Sequence, residues 1–206
     1  MLRFYILLTL SASLFLGCGV EWCNSLSEYH IDNFAKNKEE FIDSRDGKAY
    51  KYVTIGTQTW MAENLRYETS NTKCYGDNPT NCKTYGILYD WNTAKKACPV
   101  GWHLPSDTEW NKLREFVGNA AAKLKANNSI WISKGTDDFG FNALPGGYFN
   151  YRLNDFSEIR EAALFWSTTE GYMVGSAHIR YLNSNTFGLD GLYTNNSWVN
   201  VRCVKD

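Results

Sequence analysis

The 206 residues include only 4 prolines, 3 histidines and 3 methionines, and the formal net charge is −1. Each scarcity closes a route. So few prolines, beside 16 glycines and no low-complexity tract, leave a globular chain rather than a fibrous or linker-like one. The histidines, His30, His103 and His178, are scattered and give no metal-ligand spacing of the His-Glu-x-x-His kind. The near-neutral charge leaves no basic footprint, so nucleic acid is not an expected partner. Ser167 lacks the glycines of a nucleophile elbow, no glycine loop would cradle a phosphate, and no carboxylate pair stands out from the 22 acidic residues. No catalytic residue, metal or cofactor is expected.

What is abundant is aromatic. Trp, Tyr and Phe number 8, 13 and 11, and 44% of the chain is hydrophobic. The length suits one domain of roughly 150 residues with extras, and such a domain buries about 70% of its unfolded surface.

The chain begins MLRFYILLTLSASLFLGCG, with Arg3 ahead of an apolar run from Phe4 to Leu16. That run is short for a membrane span and right for the h-region of an export signal. Phe15-Leu16-Gly17-Cys18 resembles a bacterial lipobox, in which the cysteine is lipidated and becomes the first mature residue. The expectation is a signal peptide over 1–17, lipidation at Cys18, a tether over 18–42 and a folded domain over 43–206. This places the protein in the cell envelope, at the outer membrane or cell surface, held through its lipid. An ordinary cleaved signal is the alternative.

Export implies an oxidising compartment. With Cys18 lipidated, Cys23, Cys74, Cys82, Cys98 and Cys203 remain. A local bridge between Cys74 and Cys82 is the simplest pairing, and Cys98 with Cys203 then ties mid-chain to chain end. In the chain-entropy picture these loops contribute about 2.5 and about 4.7 kcal/mol. Four domain cysteines still allow three connectivities, and Cys23 is left odd.

Residues 19–44 are polar and poorly patterned, with a helical turn or two expected around Phe34 to Phe41. RDGKAYKYVTIGTQTWMAENL reads as a hairpin, reversing at Asp46-Gly47 and again at Gly56-Thr57-Gln58. A short helix from about Asp90 is stopped by Pro99.

CPVGWHLPSDTEWNKL, residues 98–113, packs histidine, serine and carboxylates together and invites a catalytic reading. Ser106 and Glu109, however, have capping-box spacing. Trp110, Leu113, Phe116 and Val117 then form one helical face, ended by Gly118. The stretch reads as a structural joint in which His103 has no partner that sequence can name. Four strand-like runs close the chain: ALFWSTT, SAHIRYL, TFGLDGLY and SWVNVRCV. In the last, Val199, Val201 and Cys203 alternate with Trp198, Asn200 and Arg202 as in a half-buried strand. Helices in the middle with short antiparallel strands at both ends make the class α+β.

The ordered blocks DGKAYKYVTIGTQTWMAENL, YGILYDWNTA, CPVGWHLPSDTEW, FGFNALPGG, FWSTTE and VRCVKD resemble the Fibrobacter succinogenes major paralogous domain family across roughly residues 43–206. That resemblance implies exported or lipid-anchored bacterial proteins with a C-type-lectin-like domain: short antiparallel strands, two helices, long loops and disulfides. It also implies a long-range bridge matching Cys98 with Cys203. The Glu-Pro-Asn and Trp-Asn-Asp signatures of calcium-dependent lectins do not occur, and Asp137-Asp138 alone reads as a solvated turn.

The expected function is a non-catalytic module that binds a polysaccharide or a cell-surface protein. Candidate contacts are Tyr148, Phe149 and Tyr151 in one loop, with Tyr172 and Tyr193 beside them. The alternatives are a structural envelope protein without ligand, or an oxidoreductase similar to formylglycine-generating enzymes, which end in a like Arg-Cys strand.

Overall fold

The computed structural model describes residues 39–183, 187–194 and 197–206, the side chains of 187–194 excepted. In chain order the first half runs β1 (Glu39–Ile42), β2 (Ala49–Ile55), β3 (Gln58–Met61), β4 (Thr72–Lys73), α1 (Pro79–Tyr85), β5 (Leu88–Tyr89), α2 (Trp91–Ala94) and β6 (Trp102–His103). The second runs α3 (Asp107–Phe116), β7 (Gly146–Asn150), β8 (Asp155–Ile159), β9 (Ala163–Glu170), β10 (Ser176–Leu182), β11 (Phe187–Thr194), β12 (Val199–Asn200) and β13 (Val204–Lys205). The chain is therefore α+β, rich in strands, with short helices.

The opening strands follow from the residues. Along β2, Val53 and Ile55 pack into one core cluster and Tyr50, on the opposite face, into the other, while Ala49, Lys51 and Thr54 are exposed. Gly56 (φ 61) holds the position that a type II′ hairpin reserves for glycine, between Ile55 and its partner Gln58. A Cβ at Gly56 would lie 2.9 Å from the Phe116 ring, so a larger residue would have to push that exposed ring aside. β1 corrects an expectation: Phe41 lies not in a helical turn but in a strand opposite Tyr50. Its ring stacks on Tyr50 and Trp102 at 5.7 and 4.7 Å. Packed structure thus begins before residue 43.

Two sheets organise the domain, in the orders β1-β2-β3-β13-β6 and β11-β10-β9-β12-β5-β4, and β7-β8 stands apart as a hairpin. The chain end belongs to both large sheets. β12 pairs with β5 and β9 in one, and four residues later β13 pairs with β3 and β6 in the other. Ser197–Asp206 is therefore a seam that switches sheets, not one half-buried strand. Val199, Val201 and Cys203 are buried, but so are Asn200 and Arg202 on the supposed outer face.

The core contains two packed clusters. One gathers Trp91, Trp102 and Trp166 with Tyr89 and Val199, and the other Trp60, Trp110 and Trp131 with Phe141 and Phe165. The indole N–H groups of Trp91, Trp131 and Trp166 donate to the carbonyls of Ser167, Ala143 and Tyr89 at 2.7–2.9 Å. These three rings are thereby buried with their donors satisfied, whereas the equally buried Trp60 indole N–H has no acceptor among the described residues.

Local signals set the helices. Ser106 accepts from the Glu109 N–H and Glu109 from the Ser106 N–H, which completes the capping box of α3. At the other end Gly118 N–H donates to Glu115 and Asn119 N–H to Arg114, a Schellman closure with Gly118 at φ 70. Trp110, Leu113 and Val117 are buried, whereas Phe116, expected on the same face, is 55% exposed and packs edge-on against Phe139. In α1, Asn78 caps the helix by accepting from Thr80 N–H, and Pro79 takes the first helical position. Bridges join Cys74 to Cys82 and Cys98 to Cys203.

The α3 joint makes a graded claim on stability. Ser106→Ala is expected to cost about 1 kcal/mol through the lost cap, and Trp110→Ala roughly 3–5 kcal/mol through the cavity it leaves. Urea unfolding measures both; equal, small losses would contradict the packing described.

Candidate functional site

His103 has two partners. Its Nδ1 lies 2.6 Å from Asp206 Oδ1 and its Nε2 2.7 Å from Glu109 Oε1. The second Glu109 oxygen accepts from the Ser106 N–H and hydroxyl at 2.8 and 2.7 Å. Both imidazole nitrogens are thus occupied by carboxylates, and the Ser106 hydroxyl faces Glu109 rather than the ring. No hydroxyl–imidazole pair of the kind that activates a nucleophile is formed here. Instead His103 ties the chain end to the cap of α3. Burial pulls its pKa down, but the hydrogen bonds and charges of Asp206 and Glu109 more than offset this, leaving it above the ordinary 6.5. Burial likewise raises Glu109, yet the Ser106 and His103 contacts outweigh it and hold the carboxyl below 4.5.

A groove of about 660 Å³ opens elsewhere, between four chain segments. Thr69, Ser70 and Asn71 before β4 line one part of it, and Asp90, Asn92, Thr93, Lys96 and Ala97 around α2 another. Tyr151, at the turn after β7, and Trp198, at the entry to β12, supply the aromatic surface. Asp90 is the cap of α2: it accepts from the Thr93 N–H at 2.9 Å, the Thr93 hydroxyl at 3.0 Å and the Asn71 side-chain amide. The carboxylate therefore fixes one wall to the other. Trp198 exchanges both backbone hydrogen bonds with Phe149, at 2.9 and 3.1 Å. The Lys73 ammonium sits 4.7 Å from the Phe149 ring centre and 5.0 Å from that of Trp198. The Cys74–Cys82 bridge anchors β4, which carries Lys73, to α1. The groove thus sets aromatic surface beside hydrogen-bonding side chains, the two kinds of surface that complement a polar ligand with an apolar face.

The expected contacts divide. Tyr151 is 53% exposed and lines the groove. Phe149 is only 7% exposed, packed against Phe156 and Trp198 at 4.9 and 5.3 Å, so it supports the groove and does not touch its contents. Tyr148 is half-buried in the β7–β8 hairpin, which replaces the loop expected there. Tyr172 is 87% exposed at the β9–β10 turn and is not part of the groove. Tyr193 has its backbone in β11, and its side chain lies outside the described residues, as do Cys18 and Cys23.

Trp198 and the Asn71–Asp90–Thr93 set went unread in the sequence, although Asp90 carries a helix-cap signal. Asp137 accepts from the Asn142 N–H and closes a turn with Gly140. Among the described residues no three His, Cys, Asp or Glu side chains are grouped to hold a metal, and no helix is long and apolar enough to cross a membrane. Cys203, in the Arg-Cys strand, is buried and bonded to Cys98.

Residues 53–205 match the family model described as the Fibrobacter succinogenes major domain. No curated protein and no solved structure matches the chain.

The His103 clamp carries a pH signature. A raised folded pKa stabilises fully below the unfolded value of 6.5 and fades as pH rises through the folded value. Wild type should therefore melt above His103→Gln near about pH 6, and the gap should shrink toward about pH 9. Thermal melts at both values check this; a gap that widens with pH would contradict it.

Proposed function

Because the chain belongs to the Fibrobacter succinogenes major domain family, we propose that it is an exported bacterial lipoprotein, anchored at Cys18, whose non-catalytic C-type-lectin-like domain binds carbohydrate at the cell surface. The lectin-like reading is supported by the placement of β1 and β13 in one sheet and by the long-range Cys98–Cys203 bridge. The oxidoreductase alternative has less support, since its chemistry needs a reactive cysteine pair and Cys203 is held in that bridge.

The observation that carries the carbohydrate reading is the groove itself. Sugar rings present an apolar C–H face and a rim of hydroxyls. Tyr151 and Trp198 offer aromatic surface for the first, and Asn71, Asn92, Thr69 and Ser70 offer amides and hydroxyls for the second. Aromatic side chains of this kind are the usual anchors of a binding surface. A protein partner is the second reading, favoured by the β9–β10 turn, where Tyr172, Met173 and Val174 are all exposed.

A glycan array separates the two. Tyr151→Ala should weaken glycan binding at least about tenfold, as expected of a stacking anchor, without moving the melting temperature. Tyr172→Ala should do neither. Loss of binding on Tyr172→Ala alone would shift the site to the turn and favour the protein reading. For the anchor, Cys18→Ser should leave the precursor unprocessed or release the protein from membranes; mature Cys18→Ser retained at normal levels in the membrane fraction would refute lipidation.

A further inference from the structure

The charges around the groove are not equivalent, and the difference narrows the ligand. Three lysines lie at or beside it. The Lys73 ammonium is engaged by the Phe149 and Trp198 rings, and that of Lys95 sits 3.7 Å from the Trp91 ring centre. Lys96 is exposed, lines the groove, and makes no ion pair or ring contact with any described residue. The carboxylate in the lining, that of Asp90, is 6% exposed and already accepts from two Thr93 groups and Asn71. Its oxygens are already taken by these donors, so it offers a ligand few free acceptors. The other polar lining groups are neutral. The charge left open to an occupant is therefore a single cation set beside hydroxyl- and amide-bearing walls.

Building on the carbohydrate reading above, we propose that the groove selects an anionic sugar, with Lys96 meeting its carboxylate or sulfate. Lysine is a compact point charge without the planar fork of arginine, so it recognises the charge of the anion and not its shape. With the whole chain at a net charge of −1, no general field draws anions in. Selectivity must then be local, and of the size of one solvent-exposed ion pair, roughly fivefold in affinity.

The test uses the full chain in detergent micelles and pairs of polysaccharides that differ only in charge. Polygalacturonate and alginate are titrated beside their carboxyl-reduced forms, and carrageenan beside its desulfated form. At least one charged polymer should bind, with its neutral form about fivefold weaker. Lys96→Gln should erase that difference while Lys96→Arg keeps it, and Tyr151→Ala should weaken both forms alike. A response confined to the carboxylate pairs or to the sulfate pair identifies which anion is read, and either supports the proposal. Equal binding of charged and neutral forms, lost on Tyr151→Ala, overturns the anionic preference and leaves the groove reading intact. So does a preference that survives Lys96→Gln. Absence of binding by every polymer, charged or neutral, overturns both.

Discussion

The guanidinium of Arg202 is fully buried, with the charges of Glu63 and Asp137 acting on it. It donates to the backbone carbonyls of Met61, Phe141 and Asn142 and to the side-chain oxygen of Asn64, and it lies over the rings of Phe141 and Phe165. Burial lowers its pKa to about 9, which still leaves it charged at neutral pH. A buried cation is tolerated only where hydrogen bonds replace the lost water. Here those bonds come from the end of β3, the segment after it, and the chain ahead of β7. One side chain thus collects the carbonyls of segments distant in sequence, at the point where the chain passes from one sheet to the other. Removing it would orphan several buried acceptors at once, each worth about 1–3 kcal/mol.

The seam that Arg202 secures also shapes the groove. Val199 is paired antiparallel with Tyr89, so the next residues outward, Trp198 on one strand and Asp90 on the other, arrive side by side at the end of the ladder. Asn200, one step inward, donates to the carbonyls of Tyr85 and Ile87 and locks the exit from α1 to β5. The aromatic wall and the capped wall are therefore set by the register of the same two-residue strand. Lys73 packs against the Trp198 ring, and the neighbouring Cys74–Cys82 bridge ties its strand to α1. A ligand would meet a surface whose geometry is fixed before it arrives, which lowers the ordering cost of binding.

The legible parts of the sequence were those written in neighbouring residues. Ser106 and Glu109 announce a cap at a fixed spacing, Gly118 announces an end, and Gly56 announces a reversal. Asn78-Pro79 carried the same kind of signal for α1, yet in a helix of seven residues it reads equally well as a turn. Phe41 looked helical among charged neighbours because its strand is made by pairing with β2, which no local pattern encodes. Arg202 and Asn200 looked solvent-facing because alternation assumes one wet side, and a seam between two sheets has none. The groove was the least legible feature. Of the expected aromatics whose side chains are described, only Tyr151 lines it, and its polar partners come from segments more than fifty residues away in sequence.

If the seam holds the two sheets together, the amides that bond to it should be the last to open. Met61 N–H donates to the Cys203 carbonyl and Leu65 N–H to that of Val201, both at 3.0 Å. Native-state hydrogen exchange reads their opening directly. The account predicts that both amides exchange only through global unfolding, with the same denaturant dependence as unfolding of the whole domain. Exchange of Met61 and Leu65 by a lower-energy opening, while the β2–β3 ladder stays protected, would show the seam detaching from an otherwise intact fold and would contradict it.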